Sequence, residues 1–282
     1  MEQDTPEATS SSTAESMVAL FSDENKAYIK TLTNFFTTSK EEQEARSVYL
    51  NNIRPTSRLA AVLVLLFERD GQLRVLVTTR GKHLKTHGGQ TSLPGGKMED
   101  IDNGGVIATA FREANEEVSL PLDNPHIHTL GTLELHPFHK LVVAPVVALL
   151  TDNSVLEVLK ARKGEVDHIF SHPLEAFLDP TLAPKFESLV PHGSKHWPYE
   201  SKYHHHIDYV VEALGGMTYR LHCFQTSASP ITGLTADVLI RTAEIVYQRE
   251  AIYERYAFDQ IRSFDALVEA FEKNRKASVP AS

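Results

Sequence analysis

The apolar residues of this chain fall into short runs of two different periods. Leu59-Ala60-Ala61-Val62-Leu63-Val64-Leu65-Leu66-Phe67 is followed by Asp70-Gly71 and then by Leu73-Arg74-Val75-Leu76-Val77-Thr78-Thr79. The first run falls far short of the ~20 residues that cross a bilayer. Asp-Gly between two apolar runs is a strong hairpin signal, so the pattern predicts two paired, largely buried strands. Strand-like runs recur at Ile127–Leu135 and Leu141–Leu150, on either side of His136-Pro137-Phe138-His139-Lys140, and at Val166–Phe170, Tyr203–Val211 and Met217–Gln225. Helical spacing marks Tyr28, Ile29, Leu32, Phe35 and Phe36 behind a capping Asp23, and Val238, Leu239, Ala243, Ile245, Val246 and Tyr247 behind Thr235. A short helix at Leu174–Leu178 is stopped by Pro180, and Phe264–Lys276 reads as a last helix fraying into a polar end. From Leu182 to Tyr203, Pro, Gly, His, Ser and Lys mix without a period, which predicts a long exposed insertion.

Strands gathered into a mixed sheet, with helices at the middle and end, predict an α/β sandwich and not a regular βαβ series. The expected divisions are a disordered tail at 1–15, an N-terminal helical extension at 16–50, a main domain at 51–257 carrying the insertion at about 182–203, and a C-terminal helix and polar tail at 258–282. A length of 282 residues suits one main domain.

Charge changes this picture in two places. The net charge of −9 argues against a general nucleic-acid binder, since that affinity comes mainly from Lys and Arg meeting phosphates. Yet Arg74, Arg80, Lys82, Lys85 and Lys97 fall between Arg74 and Met98 with no acid among them, a local basic run that suits an anionic small molecule. No membrane partner is implied. The single cysteine, Cys223, reads as a small buried apolar residue with no disulfide to form. Neither a secretory signal nor a transit peptide is legible at the N-terminus, and Val279-Pro280-Ala281-Ser282 is not a peroxisomal address. The location expected is intracellular, open between cytoplasm, peroxisome and mitochondrion.

The chemistry gathers downstream of the basic run. Between Gly105 and Val118, Ile107, Phe111, Ala114 and Val118 form one helical stripe, with Glu113, Glu116 and Glu117 on the opposite side. Carboxylates three and four residues apart repel by a few tenths of a kcal/mol per pair, roughly, and a divalent cation would remove that cost. Magnesium favours carboxylate oxygens and is commonly shared with substrate phosphates. Leu93-Pro94-Gly95-Gly96 leads into this helix, and paired glycines allow close backbone approach.

Gly96, five residues, Asp102, nine residues, then Arg112-Glu113-Ala114-Asn115-Glu116-Glu117-Val118-Ser119-Leu120 resembles the signature of the Nudix hydrolases. That signature runs Gly, five residues, Glu, seven residues, Arg-Glu, an aliphatic, any residue, Glu-Glu, any residue, Gly, an aliphatic. Asp102 stands for Glu, the spacer is longer, and Ser119 replaces the closing glycine; Asp102 is therefore left outside the ligand set. The resemblance implies a Nudix-type α/β/α sandwich. It also implies Mg²⁺ or Mn²⁺ on Glu113, Glu116 and Glu117, and an Arg112 that orients a carboxylate.

A second resemblance lies upstream. Leu76-Val77-Thr78-Thr79-Arg80, then Lys85, Gly89 and Leu93-Pro94-Gly95-Gly96, is similar to the element of the coenzyme A diphosphatase branch, with Gly81 for Ser or Ala, Lys85 for Arg and Leu93 for Phe. Ile231-Thr232-Gly233-Leu234-Thr235-Ala236 also looks like that branch, and the likeness covers about Arg58 to Arg249. It implies hydrolysis of coenzyme A or its acylated or oxidised derivatives to 3′,5′-ADP and a 4′-phosphopantetheine moiety. Arg80, Lys85, Gly95 and Gly96 would face the substrate. The alternatives are another nucleoside diphosphate derivative (ADP-ribose, a dinucleotide or an oxidised nucleoside triphosphate) and a non-catalytic nucleotide-binding module. A homodimer is left open.

Other histidine readings are weaker. His204-His205-His206, with His192 and His196 near in sequence, would alternate across a strand and not share one ion. His136 and His139 flank the Pro137 turn and could face the site. No Gly-x-Ser-x-Gly elbow supports a serine triad.

Overall fold

The computed structural model of the chain describes residues 16–53, 58–103, 105–138, 141–212, 215–263, 266–270 and 273. The expected tail at 1–15 and the polar end after 273 lie outside the described residues. Among those described, eleven strands form one sheet: β1 (Leu59–Arg69), β2 (Gln72–Arg80), β3 (Thr91–Ser92), β4 (Gly95–Lys97), β5 (Ile127–Thr132), β6 (His136–Phe138), β7 (Leu141–Leu150), β8 (Val166–Pro173), β9 (His204–Val211), β10 (Met217–Phe224) and β11 (Ile231–Thr232). The helices are α1 (Asp23–Thr38), α2 (Lys40–Asn52), α3 (Val106–Val118), α4 (Ser154–Glu157), α5 (Ala183–Phe186) and α6 (Gly233–Tyr247). No helix among the described residues is long and apolar enough to cross a membrane.

The β1–β2 hairpin turns on Asp70 and Gly71, both at positive φ (53° and 73°), the geometry that matches the twist of the flanking strands. The sheet runs β5-β7-β1-β2-β3-β11-β10-β9, with β4 on β1, β6 on β7 and β8 on β2. Of these pairings β1–β7 and β3–β11 are parallel and the rest antiparallel, which makes the sheet mixed.

Side chains alternate along β1, so its two faces feed two cores. Leu59, Ala61, Leu63, Leu65 and Phe67 pack with Val106, Ala110, Ala114 and Val118 of α3. Val64 and Leu66 pack with Ile29, Leu32 and Phe36 of α1 and with Leu239, Ile240 and Ala243 of α6. Helices therefore cover both faces, the α/β/α arrangement expected, and α1 is part of the main core.

Several local expectations change. The cap of α1 is Ser22, whose hydroxyl accepts from the Asn25 amide, and Asp23 sits in the first turn. Residues 136–138, expected to connect two strands, form β6 and pair with β7, while His139 lies outside the described residues. Helix α6 begins at Gly233, two residues before the expected Thr235. Within 264–276, residues 266–270 are helical, and Leu267 and Val268 are buried.

The 182–203 segment is not simply exposed. Trp197 is fully buried, its indole N–H donating to Ser201 O at 2.7 Å. Glu187 is buried against His172 Nδ1 (2.5 Å) and Arg74 Nη2 (3.2 Å). Val190 exchanges two bonds with the core, donating to Thr226 O and accepting from Gln225 Nε2. A few anchors hold a segment whose remaining residues are polar, so no hydrophobic period marks it.

Candidate active site

Strand β4 places the glycine pair directly under α3. Ala61 lies opposite Gly96 and Val62 opposite Gly95. A Cβ on Gly96 would come within 2.4 Å of Glu113 Oε1, and one on Gly95 within 2.3 Å of Ala61 O. The helix side chain and the strand meet this closely because Gly96 lacks a side chain, and β4 lies close on β1 because Gly95 does. The Gly95 N–H donates to Glu117 Oε2 at 3.2 Å.

The buried stripe of α3 is Val106, Ala110, Ala114 and Val118, rotated from the expected one: Ile107 is exposed and Phe111 half-buried. The rotation also moves the acids. The side chain of Glu117 is 8% exposed, that of Glu113 16% and that of Glu116 41%, so the three descend from core edge to solvent and do not share one solvated face. Burial pushes the Glu117 carboxyl up to about 7, against the Gly95 N–H and the Arg80 charge. Burial also raises Glu113, partly offset by Arg112.

Arg112 is the hub of the acids. Its Nε donates to Asp102 Oδ1 (2.8 Å), and its Nη2 reaches Asp102 Oδ2 (3.1 Å), Glu113 Oε1 (3.1 Å) and Lys97 O (2.9 Å). Its Nη1 lies 3.3 Å from Glu116 Oε1. The bonds to Asp102 lead in raising the guanidinium above its ordinary value. Asp102 is buried, which alone would raise it. Bonds from Arg112, the Glu99 N–H and the Thr109 hydroxyl overcome that and hold it low. The longer spacer is thus accommodated after Asp102, where Asn103 takes φ 50°, and the acid still reaches the arginine. Its task is to fix Arg112.

The basic run divides. Arg80 Nη1 lies 3.5 Å from Glu117 Oε1, which brings the upstream motif onto the helix. Arg74 is turned elsewhere, to Ser171 and Glu187. Lys85 is exposed in the loop after β2 and makes no ion pair with the helix acids among the described residues. His136 is also apart: it is buried with Nε2 3.3 Å from Asp237 Oδ2 of α6, which Tyr219 Oη also contacts. His204 bonds His222, while His205 stacks on Tyr199 at 4.1 Å, the alternation a strand imposes. Cys223 is buried.

Sequence reasoning missed Arg162. Its Nη1 is 3.8 Å from Glu116 Oε2, but it comes from a loop far along the chain with no motif to mark it.

Among the described residues, no three His, Cys, Asp or Glu side chains are gathered around one point. The donors nonetheless fit a hard divalent cation. Glu117 presents a buried and Glu113 a part-buried carboxylate beside two glycines, and burial leaves Glu117 poorly solvated, a cost that a cation on its oxygens would offset.

Residues 57–193 match the NUDIX domain model. The chain is 30% identical over 218 residues to the Nudix hydrolase NudL of Yersinia enterocolitica, covering 77% of this chain and 94% of that one. The chain belongs to the Nudix family. It is also 38% identical over 194 residues to "Nudix hydrolase 15, mitochondrial" of Arabidopsis thaliana, covering 67% of this chain and 59% of the plant protein. A third Nudix relative, "Peroxisomal coenzyme A diphosphatase ndx-8" of Caenorhabditis elegans, is 33% identical over 190 residues, 65% of this chain and 67% of its own. The chain thus spans less than two thirds of the plant relative's length. In Nudix terms, α3 carries the signature acids and β4 the glycine approach to them.

Proposed function

We propose that this chain is a divalent-cation-dependent Nudix hydrolase that splits the diphosphate of coenzyme A, or of its acylated or oxidised derivatives, into 3′,5′-ADP and the matching 4′-phosphopantetheine. The observation that carries the reading is the contact of Arg80 with Glu117: the upstream coenzyme A-type element and the signature helix meet at one place. The likeness to a relative named as a coenzyme A diphosphatase supports it. An intracellular location is consistent with the mitochondrial and peroxisomal names of the relatives.

Hydrolysis adds water across the P–O–P bridge, the hydroxyl to one phosphorus and a proton to the leaving phosphate oxygen. Glu113, Glu116 and Glu117 would hold Mg²⁺ or Mn²⁺, which when bound supplies charge neutralisation and a more acidic water. Arg112, fixed by Asp102, aims Glu113 and Glu116. Gly95 and Gly96 leave the strand bare where the helix acids face it. Arg80 offers its charge to the diphosphate, and Lys85, on its exposed loop, meets an outlying phosphate.

The test is incubation with Mg²⁺ and coenzyme A, its disulfide, ADP-ribose or 8-oxo-dGTP, with products resolved by mass. The expected result is 3′,5′-ADP from a coenzyme A species. Turnover confined to ADP-ribose or the oxidised nucleotide would overturn the coenzyme A reading and leave a Nudix hydrolase of another nucleoside diphosphate derivative.

A further inference from the structure

The loop between α4 and β8 closes on the C-terminal end of α3. The Lys160 N–H donates to Val118 O at 3.0 Å and the Arg162 N–H to Glu117 O at 2.9 Å, while Ser119 Oγ donates to Lys160 O at 3.4 Å. A helix end leaves carbonyls without partners inside the helix, and this loop supplies them. The backbone of Arg162 is therefore fixed relative to Glu116 and Glu117 whatever its side chain does.

That side chain is held loosely. Its Nη1 is 3.8 Å from Glu116 Oε2 and its Nε 3.4 Å from Glu165 Oε1, and it is half exposed. The other oxygen of Glu116 is taken by Arg112, which is mostly buried and locked by Asp102. Glu116 thus stands between one fixed and one loose guanidinium.

The same loop braces the other basic arm. The Gly81 N–H donates to Glu165 O at 2.7 Å, and a Cβ on Gly81 would come within 2.9 Å of Gly164 O. This close contact is the physical reason for glycine where the related pattern has Ser or Ala. Arg80, one residue earlier, faces Glu117, so two loops pressed together present Arg80 and Arg162 to adjacent acids.

We infer that Arg162 is a positioning residue for Glu116 and an exchangeable arm for the substrate diphosphate: it pairs with Glu116 while that carboxylate lacks another counter-charge and turns to a phosphate oxygen once Glu116 is neutralised. The inference rests on the cation-dependent reading above and not on the identity of coenzyme A. A guanidinium fits carboxylate and phosphate with the same planar fork. A long, half-exposed ion pair is weak, so the exchange costs little. Cation and diphosphate binding are then coupled, and the coupling is the same measured from either side.

Arg162→Ala keeps the backbone bonds of the loop, and Arg162→Lys keeps charge without the fork. The probes are Mn²⁺ alone, followed by electron paramagnetic resonance, and methylenediphosphonate, a diphosphate mimic with a carbon bridge, bound with and without Mn²⁺. Arg162→Ala is expected to bind Mn²⁺ alone as tightly as the wild type or a few-fold tighter, because a competitor for Glu116 is gone. Its binding of the diphosphonate in Mn²⁺ is expected to weaken on the order of tenfold, with the mutual tightening reduced by the same factor and partly recovered in Arg162→Lys. Unchanged coupling with normal Mn²⁺ binding overturns this inference alone. Weaker Mn²⁺ binding with a lowered melting temperature makes the role merely structural and also overturns it. A wild type that binds no Mn²⁺ overturns the cation-dependent reading as well.

Discussion

Glu117 is the acid least like one in water. Its folded value of about 7 stands above the ordinary carboxylate value, so between those two points the folded chain holds a proton the unfolded chain has released. For an acid shifted this way stability falls as pH rises through the window and levels off above it. Without a cation the cost at pH 8 is roughly 3 kcal/mol. Glu117→Gln removes that charge, so the metal-free variant is expected to melt about 3–8 °C higher at pH 8, while under the proposed function turnover drops by ~10³-fold or more, the lost carboxylate taking cation stabilisation with it. Thermal melts and a rate in saturating Mg²⁺ check both halves; a wild-type rate would show that Glu117 holds no catalytic ion. Glu113, Glu116, Glu117 and Arg112 were legible in the sequence because a helix fixes their mutual spacing. Asp102 was legible as a motif position but not as the anchor of Arg112, since only the folded loop shows where the two extra residues go. Arg162 was not legible, because its place depends on how a distant loop caps the helix.

At the scale of elements, the contacts of β4 with β1 and with α3 set different demands on two adjacent glycines. A Cβ on Gly95 runs into backbone, the Ala61 carbonyl, which cannot move without shifting β1. A Cβ on Gly96 runs into the Glu113 carboxylate, the far end of a side chain that can swing aside. Gly95→Ala is therefore expected to destabilise by about 3 kcal/mol. Gly96→Ala is expected to cost less than about 1 kcal/mol but, under the proposed role of Glu113, to lower kcat ten- to a hundredfold, because displacing a catalytic group by about 1 Å costs on that order. Denaturant unfolding alongside kinetics separates the two, and equal loss of stability in both would refute the distinction. The elements legible in the sequence were those with a clean period: the β1–β2 hairpin, α1 and α6. The phase of α3 differs from the expected one because Ile107 and Phe111 look like core by composition, whereas the helix buries Val106 and Ala110 in their place beside Ala114 and Val118, in the core shared with β1. In the 182–203 segment the buried anchors Trp197 and Glu187 were not legible because they form no pattern.

Across the whole molecule, a mixed sheet with helices followed from where the apolar runs and helical stripes lie, and helices on both its faces from the family resemblance, but the pairing of β8 with β2 had no local signal. That pairing brings Glu165 to Gly81 and so the two basic arms together. At the opposite end of the sheet, β9 and β10 carry a different device. His204 Nε2 bonds His222 Nδ1 at 2.9 Å, His222 Nε2 bonds Arg255 O at 2.8 Å, and Tyr253 stacks on His204 at 4.0 Å. The bond to a carbonyl makes His222 Nε2 the donor, which leaves its Nδ1 to accept from a neutral His204. Burial depresses both imidazoles below their ordinary range, and for His204 the neighbouring His222 adds to it. The unfolded chain therefore binds protons the folded one refuses. Their contribution to stability is complete above about pH 6.5 and is lost as pH falls toward the depressed folded values, with a slope of up to ~1.4 kcal/mol per pH unit for each group. Glu117 acts in the opposite sense over part of that window. The comparison is therefore a difference between wild type and His204→Gln/His222→Gln, in which a distant group cancels. Urea unfolding between pH 4.5 and 7.5 is expected to show the double variant less stable at neutral pH but with a shallower acid slope. Parallel slopes would mean that the edge of the sheet admits protons and that acid sensitivity arises elsewhere.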